Sequence, residues 1–230
     1  MLRIKKILVV AAHPDDEILG LGATMHKYAK LGAKIRVVIL GEGLTSRSTH
    51  RDVNNYKDEL DTHRANIYSA GRHIGYEDYR IHDFPDNRFD SLDLLDIVKI
   101  VEAEIMSFEP NVVLTHHCND LNIDHRMTYQ AVVTACRPVS EKFPESIITF
   151  ETPSSTEWQP NCNFKPNLFV CVSKEDIKAK QDAMHEYMYE RREYPHPRSS
   201  MALESLASVR GIASGVEYAE AFEIIRQIAI

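Results

Sequence analysis

The chain has 230 residues, of which 43% are hydrophobic, and a formal net charge of −7 at pH 7. This length and composition are sufficient for a buried core within one domain. The negative charge argues against binding to nucleic acid or to an anionic membrane, because both favour basic surfaces. The first apolar stretch, residues 7–12, is too short to span a bilayer and is not followed by a signal-peptide cleavage pattern. We therefore expect a single cytoplasmic domain over residues 1–230.

The N-terminal part of the chain predicts a strand, a helix and a second strand. Residues 4–12 are typical of a strand buried on both faces, residues 17–31 have helical spacing, and residues 34–40 form another apolar run. The crossover of such a unit is expected to be right-handed. Gly20 and Gly22 resemble part of a dinucleotide-binding motif, but they lie inside the helical pattern and a third glycine is lacking. We predict instead that they let the helix approach the sheet closely.

The alternation of strands and helices continues through the middle of the chain. Helices are predicted over residues 56–73 and 91–108, and strands over residues 79–82 and 111–115. The alternation predicts an α/β fold with a mostly parallel sheet, whose ligand site lies at the C-terminal ends of the strands.

The first predicted strand runs into the polar cluster His13-Pro14-Asp15-Asp16-Glu17. Pro14 keeps His13 out of the α region, so the cluster is expected to be a stiff turn. The spacing of His13 and Asp16 can bring both side chains to one side and aim Asp15 elsewhere. Imidazole and carboxylate together suit a divalent metal, and Asp15 would then be placed to accept a proton from water. The alternative is that the aspartates only cap the following helix.

A second polar cluster, residues 116–126, lies between the strand at 111–115 and another predicted helix. If the two strand ends are neighbours, His13, Asp16 and one histidine of this cluster give a two-histidine, one-carboxylate set, which is typical of catalytic zinc. We favour His125, because it opens a helix and has Asp124 beside it to shape its surroundings. The repeated pattern makes coincidental capping the weaker interpretation.

The last third of the chain carries fewer signals. Strands are predicted over residues 146–151 and 168–172, and helices over 173–189 and 200–209. The segment from Tyr194 to Arg198 cannot be helical, and its His196 either lines the site, where it would contact the substrate, or merely connects two elements. The four cysteines are scattered without a C-x-x-C pair, which indicates reduced thiols. They are Cys118, Cys136, Cys162 and Cys171.

The segments HPDDE at 13–17 and DLNIDHR at 120–126 resemble the PIG-L/LmbE-like family of metal-dependent de-N-acetylases. The resemblance extends to Arg64, to Asp86 and to the ending RG…YAEAF at 210–222. It implies a Rossmann-like three-layer α/β/α fold and a zinc-dependent hydrolase that removes the acetyl group from an N-acetylated amino sugar or its conjugate. It also implies a small-molecule substrate and a homo-oligomeric protein.

Residue by residue, the resemblance makes His13, Asp16 and His125 the ligands of one zinc ion per chain, and Asp15 the general base. Iron and manganese are also compatible with such ligands. Arg64 and Asp86 would contact the sugar. One position departs from the family: many members have a histidine where this chain has Asn122. An asparagine amide can donate a hydrogen bond to an oxyanion but cannot transfer a proton. Asp15 is therefore expected to act first as base and then as acid.

Two other functions remain open on the sequence alone. The first is a metal-dependent amidase with a non-sugar substrate, which a substrate panel would separate from sugar deacetylation. The second is a metal-free module that binds a sugar or nucleotide, in which the carboxylates only cap helices. The loops at residues 44–55, 84–90 and 152–167 are expected to decide the substrate.

Overall fold

The computed structural model describes residues 4–139, 142–161 and 163–229. Its seven strands belong to one sheet: β1 (Lys6–Ala11), β2 (Lys34–Gly41), β3 (Asp78–Phe84), β4 (Val112–His116), β5 (Ser146–Phe150), β6 (Leu168–Cys171) and β7 (Ala219–Gln227). The strand order across the sheet is β3-β2-β1-β4-β5-β7-β6. The first five strands pair in parallel, and β7 lies antiparallel between β5 and β6.

Six α-helices flank the sheet: α1 (Asp16–Lys30), α2 (Lys57–Ile74), α3 (Leu94–Phe108), α4 (Ile123–Ala135), α5 (Lys174–Glu186) and α6 (Ser200–Ser214). Short 3₁₀ turns occur at Thr45–Arg47, Phe89–Ser91 and Thr156–Trp158. Helices α1, α2, α5 and α6 contribute to one core, and α3 and α4 contribute to the other. The prediction of an α/β fold with a mostly parallel sheet and helices on both faces is thus confirmed.

Strand β1 shows why the sequence near the N-terminus is apolar without alternation. Ile7 and Val9 belong to the core under α1, whereas Leu8 and Val10 belong to the core under α3 and α4. Successive side chains of a strand point to opposite faces, so a strand covered on both sides must be apolar throughout. The same burial makes β1 a rigid support for the polar residues that follow it.

The glycines of α1 have the packing role that the sequence predicted. A Cβ atom placed on Gly20 would lie only 2.2 Å from Cδ2 of Phe150 in β5, and one on Gly22 would lie 3.1 Å from Lys180. Both glycines lie within α1 rather than in the turn before it. Gly20 thus allows the predicted close contact between α1 and the sheet, whereas Gly22 allows close contact between α1 and Lys180 of α5.

Helix α1 is interrupted at Leu21, whose φ of −150° is not helical. The Nζ of Lys180 donates to the carbonyl of Leu19 at 2.7 Å, and the Glu220 carboxylate accepts from the amide of Thr24 at 2.6 Å. These two buried side chains also form an ion pair of 2.6 Å. They satisfy backbone groups that the interruption leaves without helical partners, which gives the YAEAF segment a structural role.

The sheet topology brings the two polar clusters together. Strand β1 pairs with β2 on one side and with β4 on the other. The chain therefore winds outwards from β1 in one direction and then starts again at β4 in the other direction. The residues that follow β1 and β4 meet at the same edge of the sheet, where open α/β sheets bind their ligands.

No helix in the described ranges is long and apolar enough to cross a membrane. No disulfide joins the cysteines that the structure describes. Cys162 lies outside the described residues.

Candidate metal centre and active-site cleft

A cleft of about 290 Å³ opens at the carboxyl ends of β1 and β4. Most of the side chains that line it are charged or polar. Its described lining consists of His13, Pro14, Asp15, Asp16, Gly43, Ser46, Arg47, Asp86, Asn87, Asn122, His125, Ser154, Ser155, Trp158, Glu190, Arg192, His196 and Arg198.

Two histidines and one carboxylate converge at the base of this cleft. Oδ2 of Asp16 lies 3.5 Å from Nδ1 of His13 and 3.3 Å from Nε2 of His125. All three side chains are buried, and one ligand atom from each lies within 4.8 Å of the others. Neutral imidazole nitrogens and a carboxylate oxygen, with space on the cleft side, suit a catalytic divalent cation.

Each of these histidines has a further carboxylate at the ring nitrogen that faces away from Asp16. Nε2 of His13 lies 2.8 Å from Oδ2 of Asp124, and Nδ1 of His125 lies 3.1 Å from Oδ1 of Asp120. Metal-binding histidines usually have such a partner, which fixes the tautomer and the ring orientation. The expectation that Asp124 serves the neighbouring His125 was wrong, because consecutive residues of a helix point in different directions. Asp124 serves His13, and Asp120 serves His125.

A second group of possible ligands, His13 with Asp86 and Asp124, is less suited to a cation. Both oxygens of Asp124 accept backbone hydrogen bonds, from the amide of Phe89 at 2.9 Å and from that of Asn87 at 2.6 Å. Oδ2 of Asp86 accepts from the amide and the hydroxyl of Ser46. These carboxylates are occupied with holding loops and with orienting His13.

The charge balance of the cluster points to the same cation site. Burial disfavours a charged imidazole, yet the carboxylates of Asp16 and Asp120 raise the pKa of His125 to about 9. Hydrogen bonds to Asp124 and Asp16 outweigh the burial of His13 and raise its pKa well above the usual value. The pKa of Asp16 is held well below its usual value despite burial, chiefly by the charge of His125. The cluster thus favours positive charge, which a divalent cation can supply in place of two protons.

The other two histidines of the second cluster are engaged elsewhere. Nε2 of His116 accepts a hydrogen bond from the amide of Ala12 at 2.9 Å, so it is unavailable to a metal. Burial lowers the pKa of His116 to about 3, and its ring stacks on that of His125 at 3.9 Å between centroids. Nε2 of His117 lies 3.0 Å from Glu223, on β7. Nε2 of His116 also lies 3.5 Å from Oδ2 of Asp16, but the amide of Ala12 occupies it, so His125 is the histidine of this cluster whose Nε2 near Asp16 has no backbone partner in the described residues.

Asp15 is separated from the ligand cluster by an unusual backbone conformation. It is the N-cap residue of α1 with a φ of 107°, and its side chain makes no capping hydrogen bond. Instead, its Oδ2 accepts from Nη1 of Arg198 at 2.9 Å. Burial raises the pKa of Asp15 well above the usual value, although Arg198 opposes the shift. Asp15 is therefore not a helix cap but a buried carboxylate at the cleft, held beside a guanidinium.

Glu17 supports this arrangement from beneath. Its Oε1 accepts from the hydroxyls of Tyr187 at 2.6 Å and Tyr76 at 3.2 Å, while Oε2 accepts from the amide of Asp15 at 3.1 Å. Burial raises the pKa of Glu17 to about 7. Glu17 lies inside the HPDDE segment, but its spacing alone predicts no role for it.

Asn122 lies at the cleft as the N-cap of α4. Its Oδ1 accepts from the amide of Asp124 at 2.8 Å, and its Nδ2 donates to Oδ1 of Asn87 at 3.0 Å. A side-chain amide has two N–H groups, so one remains for another acceptor. The prediction that Asn122 contacts the acyl oxygen is compatible with this geometry and stays a prediction.

The predicted sugar contacts divide into two groups. Asp86 and His196 line the cleft. Arg64 is not among the described residues that line it: its side chain is 45% exposed and pairs with Asp61 of α2 and Asp83 of β3. The sequence placed Arg64 on a helix but did not say which face of that helix meets the cleft, so we withdraw it as a contact.

Sequence reasoning missed several residues of the cleft. Glu190 accepts from Nη1 of Arg198 at 2.5 Å and also binds Arg47. The pairing of Arg198 with Asp15 spans 183 positions, so no spacing rule could have found it. Asp120 was within reach of such a rule, because it lies in the polar cluster that contains His125. Trp158 is the only tryptophan of the chain and lies in a predicted loop.

The model of the family described as PIG-L, GlcNAc-PI de-N-acetylase, matches residues 8–136. The chain is 30% identical over 192 residues to a protein of Escherichia coli named uncharacterized deacetylase YaiS, covering 80% of this chain and 90% of that protein. It is 28% identical over 167 residues to a 1D-myo-inositol 2-acetamido-2-deoxy-alpha-D-glucopyranoside deacetylase of Nocardioides. That match covers 57% of this chain and 55% of the relative, so the chain spans about half of the relative's length.

A solved structure whose named activity differs from that of the sequence relatives has the same fold. The 4-carboxy-2-hydroxymuconate hydratase GalB of Pseudomonas putida superimposes with a TM-score of 0.75 at 19% identity, over 99% of this chain and 98% of that one. A likeness at this level of identity shows the fold alone. The reaction has to be argued from the site.

Proposed function

Because the chain belongs to the GlcNAc-PI de-N-acetylase (PIG-L) family, we propose that it is a metal-dependent hydrolase that removes the acetyl group from an N-acetylated amino sugar or amino-sugar conjugate. The observation that carries the proposal is the separation of two carboxylates that are adjacent in sequence. Asp16 lies between the two histidines, whereas Asp15 turns away to Arg198. One carboxylate is thus available as a ligand and the other as a base.

His13, Asp16 and His125 would hold the cation, with zinc as the first choice and iron or manganese as alternatives. A cation bound there would lower the pKa of a coordinated water and polarise the acyl oxygen. Asp124, hydrogen-bonded to His13, and Asp120, whose carboxylate lies 3.1 Å from Nδ1 of His125, would orient the two imidazoles for such binding.

Asp15 performs the proton transfers in this proposal. Burial raises its pKa, so its carboxylate is a better proton acceptor than an exposed aspartate. As the oxygen of water attacks the acetyl carbon, Asp15 takes the proton of that water. It then gives this proton to the nitrogen as the carbon–nitrogen bond breaks, and the products are a free amine and acetic acid, which ionises to acetate in water. Arg198 keeps the carboxylate oriented, and the free N–H of Asn122 is placed to donate to the acyl oxygen.

The choice of an amino sugar rests on the sequence relatives and on the polar lining of the cleft. The Nocardioides relative is named for an acetamido-glucopyranoside substrate. In this chain, Asp86 and His196 line the cleft and remain candidates to contact the sugar hydroxyls. A cytoplasmic location and a homo-oligomeric state stay predictions from the sequence.

Two measurements on the purified enzyme test the proposal. Metal content is determined by mass spectrometry on protein prepared without chelator or metal-affinity steps, beside an Asp16→Ala control. We expect about one divalent ion per chain, lost in the control. Acetate release is then measured with N-acetylglucosamine, its glycosides and N,N′-diacetylchitobiose, and with non-sugar acetamides of the same size. Hydrolysis of only the non-sugar amides would favour the amidase alternative, and a metal-free native protein that does not bind added zinc would contradict the mechanism.

A further inference from the structure

Trp158 presents an exposed aromatic surface within an otherwise polar cleft. The indole is 51% exposed and belongs to the described lining of the cleft. Its ring meets that of His196 nearly edge-on, with 5.8 Å between centroids and an interplanar angle of 84°. In a perpendicular pair of this kind the imidazole can contact at most one face of the indole, so it supports the ring without enclosing it.

The turn that carries Trp158 is fastened to the candidate metal centre. The hydroxyls of Ser155 and Thr156, in the same turn, both donate to the carboxylate of Asp120. Asp120 in turn lies 3.1 Å from Nδ1 of His125. A single carboxylate thus holds both the indole-bearing turn and a metal-ligating imidazole, so the position of the indole relative to the reaction centre is fixed.

The other end of the turn is fixed to the residues around the base. The hydroxyl of Ser154 accepts from Nε of Arg198 at 2.8 Å, and the same guanidinium binds Asp15. The carboxylate of Glu157 accepts from the amide of Ser154 at 2.6 Å and so closes the turn. The indole is therefore connected to the reaction centre through both the ligand side and the base side.

We propose that Trp158, supported by His196, is a stacking platform for the pyranose ring of the substrate and determines the preference for sugar acetamides. This inference rests on the proposed function. A pyranose ring has a face of C–H groups that is apolar and slightly positive, and the face of an indole is apolar and slightly negative. The two surfaces are complementary, and the contact covers apolar area that both partners otherwise expose to water. The acetamide of the stacked sugar then extends into the cleft towards Asp15 and the metal ligands.

A direct binding experiment uses the fact that Trp158 is the only tryptophan. Its fluorescence is followed in an Asp15→Asn enzyme, which leaves the substrate intact, during titration with N-acetylglucosamine and N,N′-diacetylchitobiose. We expect a saturable emission change at the concentrations where calorimetry detects binding. N-acetylethanolamine, an acetamide without a sugar ring, should bind without that change. Sugar binding detected by calorimetry with unaltered emission would overturn the inference, as would the absence of sugar binding by either method.

Kinetics of the active enzyme provide the second test. Trp158→Ala should raise KM for sugar acetamides by about tenfold, the loss expected for one aromatic contact, with kcat changed by less than about twofold. Trp158→Phe should recover most of the loss, because it restores an aromatic face. The hydrolysis of N-acetylethanolamine should be the same in all three proteins.

Tyr68 offers a matched control. It is 48% exposed and meets Tyr79 edge-on at 4.8 Å and 83°, but it lies on α2 and is not among the described residues of the cleft. Tyr68→Ala should leave KM unchanged. If sugars are hydrolysed but Trp158→Ala behaves like Tyr68→Ala, the platform is refuted and the proposed function stands. If Trp158→Ala lowers metal content and kcat at constant KM, the residue is structural. If no sugar acetamide is hydrolysed by the native enzyme, the proposed substrate class fails first.

Discussion

Two turns, each between a strand and a helix, form the site, and the backbone conformation at the start of the helix differs between them. The turn after β1 reaches α1 through Asp15, which has a φ of 107° and no side-chain cap. The turn after β4 reaches α4 through Asn122, which has a φ of −70° and caps the amide of Asp124. The second turn has the relaxed geometry of an ordinary N-cap. The first does not.

The difference shows what the first turn has to achieve. A positive φ at a residue other than glycine costs roughly 1–3 kcal/mol. The strained backbone lets two adjacent aspartates point in different directions: Asp16 towards His125 and Asp15 towards Arg198. The second turn supplies His125, Asn122 and the carboxylates beside the two imidazoles, so it has no adjacent ligand and base to separate. We therefore expect the general base to depend on the first turn alone, whereas the metal ligands come from both turns.

The largest effect should come from removing the base in the first turn. Asp15→Asn keeps the shape of the side chain but cannot accept a proton, and we expect kcat to fall by about 10²- to 10⁴-fold. The metal content should remain that of the native enzyme. The measurement is acetate release together with mass spectrometry of the same preparation. Near-native turnover by this variant would rule out Asp15 as the base.

The next effect concerns the carboxylates behind the two histidines. Asp120→Asn and Asp124→Asn should each weaken metal binding by roughly 10- to 100-fold, because the imidazoles lose the partners that orient them. Competition with a chelator of known affinity measures the change. Asp182→Asn, at an exposed carboxylate of α5 that pairs only with Lys178 among its described neighbours, is the matched control. An equal loss in the control, or none in either variant, would contradict the assignment.

The metal-free protein should lose stability as the pH rises above neutrality. The folded-state pKa of His125 is about 9, above the usual value of 6.5. This histidine therefore contributes stability that is fully present below pH 6.5 and lost as the pH rises through 9. The expected loss is on the order of 1–3 kcal/mol in the free energy of unfolding.

Denaturant titrations between pH 6 and 9.5 measure that loss. The unfolding free energy should depend less on pH in His125→Gln and in protein saturated with zinc, because the protonated imidazole is then absent from the folded state. A metal-free protein with the same unfolding free energy at both ends of this range would show that the charge of His125 is not coupled to folding.

The sequence predicted the elements around the site in the right order, because β1 and β4 are buried almost throughout and α3 has a clear apolar stripe, but it did not predict β7 as a strand. The predicted ends of the helices were less accurate than their order. The predicted helix 173–189 ends at Glu186, and the helix predicted to end at residue 209 continues to Ser214. Gly211 lies inside this longer helix rather than at its end. A Cβ atom at this position would be 2.5 Å from the backbone of Glu217, so the close contact requires a glycine. Packing, not helix propensity, places it there.

For the site, the sequence predicted the residues that are close along the chain and missed the pairs that are far apart. His13 and Asp16 could be linked by their spacing, and His125 by the repeated strand–turn–helix pattern. The partners of these residues, by contrast, depend on side-chain direction and on long-range contacts, as Arg198 shows for Asp15. Arg64 failed for the first of these reasons, since the face of a helix that meets the cleft is set by tertiary packing.

The smallest expected effect tests the comparison of the two turns most directly. A substitution by glycine at the N-cap should raise the free energy of unfolding in the first turn and lower it in the second. Glycine adopts a positive φ without steric cost, so Asp15→Gly should raise the free energy of unfolding of the metal-free protein by about 1 kcal/mol. Asn122→Gly removes a capping side chain from a relaxed turn and should lower it by a few tenths of a kcal/mol.

Chemical denaturation of both metal-free variants at one pH provides the measurement. The loss of the Asp15–Arg198 contact works against the expected gain, but Arg198 keeps Glu190 as a partner. A destabilised Asp15→Gly variant would mean that the backbone of the first turn is not strained. The separation of base and ligand would then have to arise from the contacts of Asp15 with Arg198 and Glu17, rather than being imposed against the preference of the chain.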